Sequence, residues 1–535
     1  MLRSSAIRAL LIRDLPNLSK QNTLILPKCY SVSASAATAT ADSDTSYQTV
    51  EYANAKPYDS IPGPPAYPII GNAWRFIGGV DFLKICKEMQ TNYGDVVRMR
   101  KMVAFGDMTF VFNTRDMEYM LRNEGQWPQR ENLKSSMYYR HVVRKDIFGD
   151  THGLLNGQDE KWGTFRTAVN PIMMQPRVTH QYIPQINEIA DEFIGLVKNL
   201  KAKDPNGEMP ANFIDQLNKW AFESITAIAL DYRLGVLAEK PSERAEKAMN
   251  YILDIFRLSL KLDIMVTGHF HRKFNSPSWR QFIKCSDFFT NMTLDLIEEA
   301  KHRIENDPNY AKKSENEKSV FEKLVAKDKQ VAMVMILDMM QAGIDTTSRI
   351  SGATLYYLAR YPNAQEKLRA ELKRLLPKKD SPITKETLDE AKYLRACIKE
   401  SLRLAPITFG TLRIMTKDIV LGGYQIPKGS IVTLPNLYLS KSVDTHFSNP
   451  SAYIPERWLR GVKTENVNAF VTLPFGFGAR SCIGKRMASM EIEVVIAKMV
   501  RNFIMEWKHK EMGFKQDMLY GIADPLKIRL SDASD

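Results

Sequence analysis

The run Phe475-Gly-Phe-Gly-Ala-Arg-Ser-Cys-Ile-Gly484 sets one cysteine two residues after an arginine in a glycine-rich loop, just before a stretch of helical periodicity. Cys482, held there as a thiolate, suits haem iron. Such a ligand needs backbone N–H groups turned toward its sulfur, and Gly478 and Gly484 allow the close approach and the positive φ angles this requires. Arg480 adds positive charge for an anionic propionate. A structural cysteine in a tight turn is the plainer account of a lone cysteine. The full spacing F-x-x-G-x-R-x-C-x-G, met at Phe475, Gly478, Arg480, Cys482 and Gly484, argues against it.

Other positions carry chemistry in the same way. Ala342-Gly-Ile-Asp-Thr-Thr347 places Asp345 and Thr346 within the longest helical pattern, where glycine and back-bonding threonines weaken the helix and open a groove. Glu400 and Arg403 share a helix face at i, i+3, with a further arginine, Arg457, in Pro455-Glu-Arg-Trp458. Trp162 and Arg166 stand four apart, so one face could present two donors to a carboxylate. Arg395 and Lys399, with Lys392, form a basic helix face, and Lys485 and Arg486 follow the cysteine loop. Simple solvation of a helix surface is the plainer account of Arg395 and Lys399.

Taken together and in this order, the motifs resemble the cytochrome P450 family, its mitochondrial clan, and most of all insect mitochondrial members. The last similarity lies in Tyr138-Tyr-Arg-His-Val-Val-Arg-Lys-Asp-Ile-Phe-Gly149 and Asn170-Pro-Ile-Met-Met-Gln-Pro176. The resemblance runs from about Asp59 to the C-terminus. It implies a mainly α fold with small β-sheets, in which haem b lies between the long oxygen-binding helix and the cysteine-ligand helix. By the same token Cys482 ligates iron, while Trp162, Arg166, Arg413, Phe475, Gly478, Arg480 and Gly484 surround the haem. Asp345 and Thr346 would be the acid and alcohol that deliver protons during oxygen activation, and Glu400, Arg403 and Arg457 a buried supporting triad.

Arg395, Lys399, Lys485 and Arg486 would dock an acidic, adrenodoxin-like 2Fe–2S ferredoxin, which with its reductase carries electrons from NADPH. Pocket walls would come from the loop between Tyr139 and Leu155, from Ala342, from Thr408 and Phe409, and from Tyr520. The activity implied is hydroxylation of a lipophilic small molecule, a steroid or insect hormone or a foreign compound such as an insecticide. A haem-thiolate isomerase that needs no external electrons, and a haem-binding sensor without catalysis, are the alternatives; the intact Asp345-Thr346 pair and the basic pair speak against the first.

The 535 residues, with 44% hydrophobic content, can build one large core, and no internal repeat divides the chain after about residue 55. Five scattered cysteines, without a Cys-x-x-Cys pair, indicate a reducing compartment and exclude a disulfide framework. The net charge of +13 lacks the basic runs and signatures of nucleic-acid binding, so membrane surfaces and acidic proteins are the expected partners. Residues 1–41 carry Arg3, Arg8, Arg13, Lys20 and Lys28 against Asp14, the composition of a mitochondrial transit peptide. The expected organisation is this leader, a flexible linker over 42–58, and a catalytic domain over 59–535. The resemblance to mitochondrial members implies a peripheral position on the matrix side of the inner membrane, and no apolar run reaches the length of a transmembrane helix.

Helical periodicity is expected at 177–200, 211–231, 243–262, 278–305 and 329–361, with one amphipathic helix beginning near Thr384 and running through Arg403. Strands are expected near 93–113, 407–436 and 518–531. Leu260 to Phe282 mixes apolar and basic residues in a way that suits either a membrane surface or an ordinary helix pair.

Overall fold

A computed structural model describes residues 50–68, 71–76, 81–102, 106–264, 268–443, 445–461, 467–516 and 519–534. The transit-peptide expectation, on residues 1–41, lies outside them. The helices that build the site are α1 (Asp159–Met173), α2 (Ile183–Ala202), α3 (Phe213–Leu230), α4 (Glu243–Ile264), α5 (Pro277–Glu305), α6 (Lys329–Arg360), α7 (Lys392–Leu404) and α8 (Lys485–Asn502). All five regions of expected helical periodicity are helical, 177–200 as Pro176–His180 and α2 with a turn between them, because apolar residues spaced at the helical period need a core to face.

Helix α6 organises the rest. Its 32 residues span about 48 Å, and Asp328 caps its start by accepting from Val331 N at 2.7 Å. Helix α3 lies against it and is buried on every side from Leu217 to Leu230 apart from Lys219, which requires an apolar sequence all round. Close approach is made possible by two glycines of α6: a Cβ on Gly343 would come within 2.8 Å of Ile225 Cγ1, and one on Gly352 within 3.0 Å of Ile214 Cδ1. Gly343 thus acts as a packing residue. The helix runs unbroken from Lys329 to Arg360, so the expected local break does not form.

Two boundaries differ from expectation. The helix anticipated from Thr384 is two helices, Lys385–Glu390 and α7, separated at Ala391. Residues 51–58 of the expected flexible linker belong to the folded unit Glu51–Asp535: 51–54 are helical, and Lys56 exchanges backbone hydrogen bonds with Gly423 O at 2.9 Å and Gln425 N at 2.8 Å. Strand pairing, not composition, fixes that stretch.

The strands are β1 (Val96–Met102), β2 (Gly106–Val111), β3 (Thr411–Ile414), β4 (Ile419–Leu421), β5 (Tyr424–Ile426), β6 (Ile431–Leu434), β7 (Phe503–Glu506), β8 (Phe514–Gln516), β9 (Tyr520–Ile522) and β10 (Arg529–Asp532). One four-stranded sheet has the order β1-β2-β6-β3, and three strand pairs complete the set among the described residues. In β3 the side chains of Thr411 and Arg413 are buried while Leu412 and Ile414 are half-buried. Strand alternation therefore turns a charged arginine inward, an arrangement that needs a partner inside.

Candidate functional site

The cysteine loop is held by its own backbone. Cys482 N donates to Phe475 O at 2.8 Å, and Gly476 and Gly478 take φ of +72° and +65°, conformations closed to most side chains. Gly484, expected to share that role, has φ of −82°; it serves by proximity, since a Cβ there would lie 3.9 Å from Cys482 Sγ. Cys482 is exposed by surface, yet protein atoms crowd it on nearly every side. Both hold for a group on the wall of an internal space: the crowding governs its electrostatics and the exposed surface governs what can reach it. Burial pushes the thiol above its ordinary pKa, opposed by the Gly484 N–H and by Arg166, Arg130 and Lys485. A metal would be needed to hold it as a thiolate.

Beside the loop four arginines converge. Arg480 stacks its guanidinium 3.7 Å over the Trp162 ring and donates to Pro128 O at 2.7 Å, Gly157 O at 3.1 Å and Gln158 Oε1 at 2.9 Å. Its Nη1 has no partner, and neither has Nε of Arg166. Arg130, from the loop before Tyr139, gives Nη2 to the carbonyls of Leu154 and Leu155 at 3.3 and 3.4 Å. Arg413 reaches from β3 to Glu124 Oε2 at 2.5 Å and to Phe477 O at 3.4 Å.

Burial first, then mutual repulsion, lowers Arg480 to about 9 and Arg130 to about 10. Burial lowers Arg166 as well. The carboxylate in direct contact with this group is Glu124, itself raised by burial and drawn back down by Arg413. Uncompensated buried guanidiniums with orphaned N–H groups are costly and call for anions. Two carboxylates beside a thiol-bearing loop would satisfy them, so the donor set fits haem propionates.

Arg130 and Glu124 were not legible as site residues. They stand singly in connecting segments, and only the fold brings Glu124 to Arg413 across 289 positions. Pro128-Gln-Arg130, following Trp127, offered an arginine without a helical partner and no spacing to interpret.

Helix α6 is buried at Met340, Ile344, Asp345, Thr347 and Ser348 but half-buried at Ala342, Gly343, Thr346 and Arg349. Positions 342, 346 and 349 lie on one helix face, so that face borders an internal space. Thr346 Oγ1 donates to Ala342 O at 2.7 Å, and Asp345 Oδ1 accepts from Arg349 Nε at 2.9 Å. Strand β9 rests nearby: a Cβ on Gly521 would come within 2.7 Å of Arg349 Nη1, and Tyr520 N donates to Ile407 O at 2.7 Å. Tyr520 is buried and Thr408 exposed, while the Phe409 ring packs 4.6 Å from that of Phe82.

Glu400 and Arg403 form a bidentate pair at 2.7 and 2.9 Å with both side chains fully buried. Arg457 adds a bond at 3.3 Å to Glu400 Oε1, and the expected triad is assembled. Trp458 Nε1 and Ile454 N also donate to Glu400, at 2.9 and 3.0 Å, and Arg403 further donates to the carbonyls of Ser440, Pro450 and Ala452. On the outer face of α7, Lys392 and Lys399 are exposed, as are Lys485 and Arg486. Arg395 is half-buried and committed to the carbonyls of Leu388 and Asp389, capping the preceding helix.

A family model described as Cytochrome P450 matches residues 61–527. The chain belongs to the cytochrome P450 family. Among curated relatives, cytochrome P450 CYP12A2 of Musca domestica is 37% identical over 506 residues, covering 91% of this chain and 93% of that protein. The probable mitochondrial cytochrome P450 12a5 of Drosophila melanogaster is 34% identical, covering 90% and 92%, and the mitochondrial cytochrome P450 12b1 of Drosophila acanthoptera 37%, covering 85% and 86%. The protein is therefore a P450 monooxygenase with a mostly helical P450 fold, and the family implies haem.

One buried acid of this P450 is not part of any sequence motif noted above. Glu491 of α8 is fully enclosed, bonded to Thr347 of α6, with Oε1 unpartnered; burial raises it from 4.5 to about 8. Between those values the native state holds a proton that the unfolded chain has released, so stability falls as pH rises through that window. Glu491→Gln is expected to flatten this fall. Denaturant unfolding at three pH values across the window checks it: a difference between variant and parent that does not widen with pH counts against the assignment.

Proposed function

We propose that this P450 is a mitochondrial, ferredoxin-dependent hydroxylase of a lipophilic small molecule, a steroid or insect hormone or a foreign compound. The observation that carries the reading is the Cys482 loop with its arginine cluster, joined through Arg130 and Leu154 to Asp338 of α6, the helix that also carries Asp345 and Thr346. Haem, when bound, supplies the activation of dioxygen and its insertion into substrate. Cys482 would give electron density to the iron from the loop side. Arg130, Arg166, Arg413 and Arg480, with Trp162 beneath Arg480, would orient and neutralise the propionates, while Phe475, Gly478 and Gly484 let the loop approach closely.

On α6 the Thr346 hydroxyl donates to the Ala342 carbonyl, and Asp345 Oδ1 accepts from Arg349 Nε. Proton transfer would begin when Asp345 leaves Arg349 and presents its oxygen to solvent-derived protons. Ala342, Phe409 and Tyr520 would bound the apolar space, with Thr408 at its margin. Apolar walls discriminate weakly per methylene, so they suit a lipophile without naming one. A difference-spectrum screen across steroids and insecticide-like lipophiles addresses that identity.

Electrons would arrive singly from NADPH through a reductase and a 2Fe–2S ferredoxin docking on Lys392, Lys399, Lys485 and Arg486, all exposed, the last two directly after the cysteine loop in sequence. Charge complementarity would steer that encounter, and Arg395 would support it through its cap and not as a free cation. Product formation should require NADPH, ferredoxin and reductase together, and Lys399→Glu should raise the ferredoxin concentration for half-maximal rate by about tenfold with the haem spectrum unchanged. Turnover without electrons would instead favour an isomerase, and haem binding without dioxygen reduction a sensor.

Relatives named mitochondrial and the basic leader support a mitochondrial location. No helix among the described residues is long and apolar enough to cross a membrane. Phe270 and Phe274 are 56% and 68% exposed with basic neighbours Arg272 and Lys273, which supports peripheral membrane contact; on this reading the membrane is the inner one, met from the matrix side. Cell fractionation should recover the full chain with mitochondria and release it in alkaline carbonate; microsomal recovery, or retention through carbonate, would refute this placement.

A further inference from the structure

The segment between Lys134 and Asn156 meets α6 through a row of polar side chains on one helix face. Gln330 Nε2 donates to Ile147 O at 2.9 Å, Asp338 Oδ2 accepts from Leu154 N at 2.6 Å and Leu155 N at 3.2 Å, and Gln341 Oε1 accepts from Arg140 Nη2 at 3.2 Å. Residues 330, 338 and 341 fall within a quarter turn of each other around the helix. Arg140 is the centre of this contact. It is 1% exposed, lies in a single π turn over Tyr139–Val143, and pairs through Nη2 with Asp338 Oδ1 at 2.7 Å; Asp338 is 3% exposed.

The backbone has been fitted around that pair. Gly153 takes φ of +72°, and a Cβ there would strike Asp338 Oδ2 and stand 3.1 Å from Arg140 Nη1. Leu154 is held from two directions: its N–H goes to Asp338, while its carbonyl accepts from Arg130 of the cluster beside Cys482. On its outer side the segment is clamped by Tyr139 Oη to Asp287 and Thr290 of α5 at 3.0 and 3.2 Å, and by Ser135 to Asp263 of α4 at 2.9 and 3.0 Å.

A buried ion pair is a poor source of net stability, because desolvating both charges consumes most of the attraction, and apolar residues of similar size would serve packing as well. Its use is register. Asp338 fixes which residues of the segment face α6, and Gln341, which shares Arg140, immediately precedes Ala342 of the partly accessible face of α6.

We propose that Arg140, through Asp338 and Gln341, is a positioning residue that sets where the 139–155 segment stands over the substrate side of α6, and so the shape of the space a ligand must fill. The proposal rests on the haem-thiolate reading, since it needs an iron that accepts ligands.

Two probes separate shape from iron access. Imidazole can ligate iron while touching little else, whereas 4-phenylimidazole must also fit its ring against the walls. In the haem-loaded full chain, Arg140→Gln should change the ratio of the two spectral affinities by about tenfold, the loss of one well-placed contact set, with imidazole itself within about twofold. A ratio within about twofold of the parent, or an equal fall for both probes, overturns the proposal. Should Arg140→Gln fail to retain haem, Gln341→Leu and Asp338→Asn take the same measurement; the second keeps an acceptor for Leu154 N–H and removes only the charge. Reduced parent protein that gives no thiolate-type carbon monoxide band overturns the haem-thiolate reading instead, so the two failures are told apart.

Discussion

Cys482→Ser is expected to abolish the reduced carbon monoxide band near ~450 nm and, with it, substrate oxidation. The band reports thiolate donation to iron, and the described residues offer no substitute. Cys86, Cys285 and Cys397 are buried elsewhere in the fold, and burial raises all three thiols. Serine keeps the size and the N–H to Phe475 O, so the loop should close as before. Its hydroxyl stays protonated where a thiol can be driven to thiolate, and the arginine cluster that favours an anion at Cys482 cannot overcome that difference. The variant should therefore still bind some haem through the propionate contacts while its spectrum loses the thiolate signature. Survival of the band would show that another side chain holds the iron.

Glu400→Gln is expected to be nearly as damaging, for a different reason. Glu400 accepts from Arg403, Arg457, Trp458 and Ile454, and both it and Arg403 have fully buried side chains. The amide keeps one acceptor oxygen but turns an NH2 toward guanidinium donors and leaves Arg403 without its counter-charge. Stranding a buried charge costs about 3–5 kcal/mol, against a total stability of about 5–15 kcal/mol for a typical domain. Haem-loaded protein should fall to a small fraction of the parent yield, with a lowered denaturant midpoint at unchanged slope. A parent-like midpoint would mean that the remaining bonds of Arg403 to Ser440, Pro450 and Ala452 carry the region alone.

The comparison of sequence with structure divides along physical lines. Helix α6 could be read because 32 residues of sustained apolar spacing leave few alternatives, and Glu400–Arg403 because i, i+3 on a helix determines a shared face. The break at Ala391 could not, since Tyr393, Leu394 and Cys397 continue the apolar pattern across it. Gly343 was read as a weak point of α6, yet its missing side chain makes room for Ile225, a partner 118 positions earlier that no local pattern announces. Arg395 matched a docking motif by spacing, but whether a guanidinium faces solvent or a helix end depends on where Lys385–Glu390 stops. Trp458, next to Arg457 in the same short motif, could have been noticed as a donor to the same carboxylate.

The arginine cluster has a consequence for how this protein comes to exist. Gathering Arg130, Arg166, Arg413 and Arg480 beside one loop, with only Arg413 bonded to the carboxylate of Glu124, ties folding to charge neutralisation. Whatever brings the missing negative charge favours the native state in proportion to how tightly it is held, and the unfolded chain, which scatters its arginines, gains nothing from it. Cofactor supply would then decide how much newly made chain survives as finished enzyme, making abundance a reporter of haem availability before any substrate is turned over.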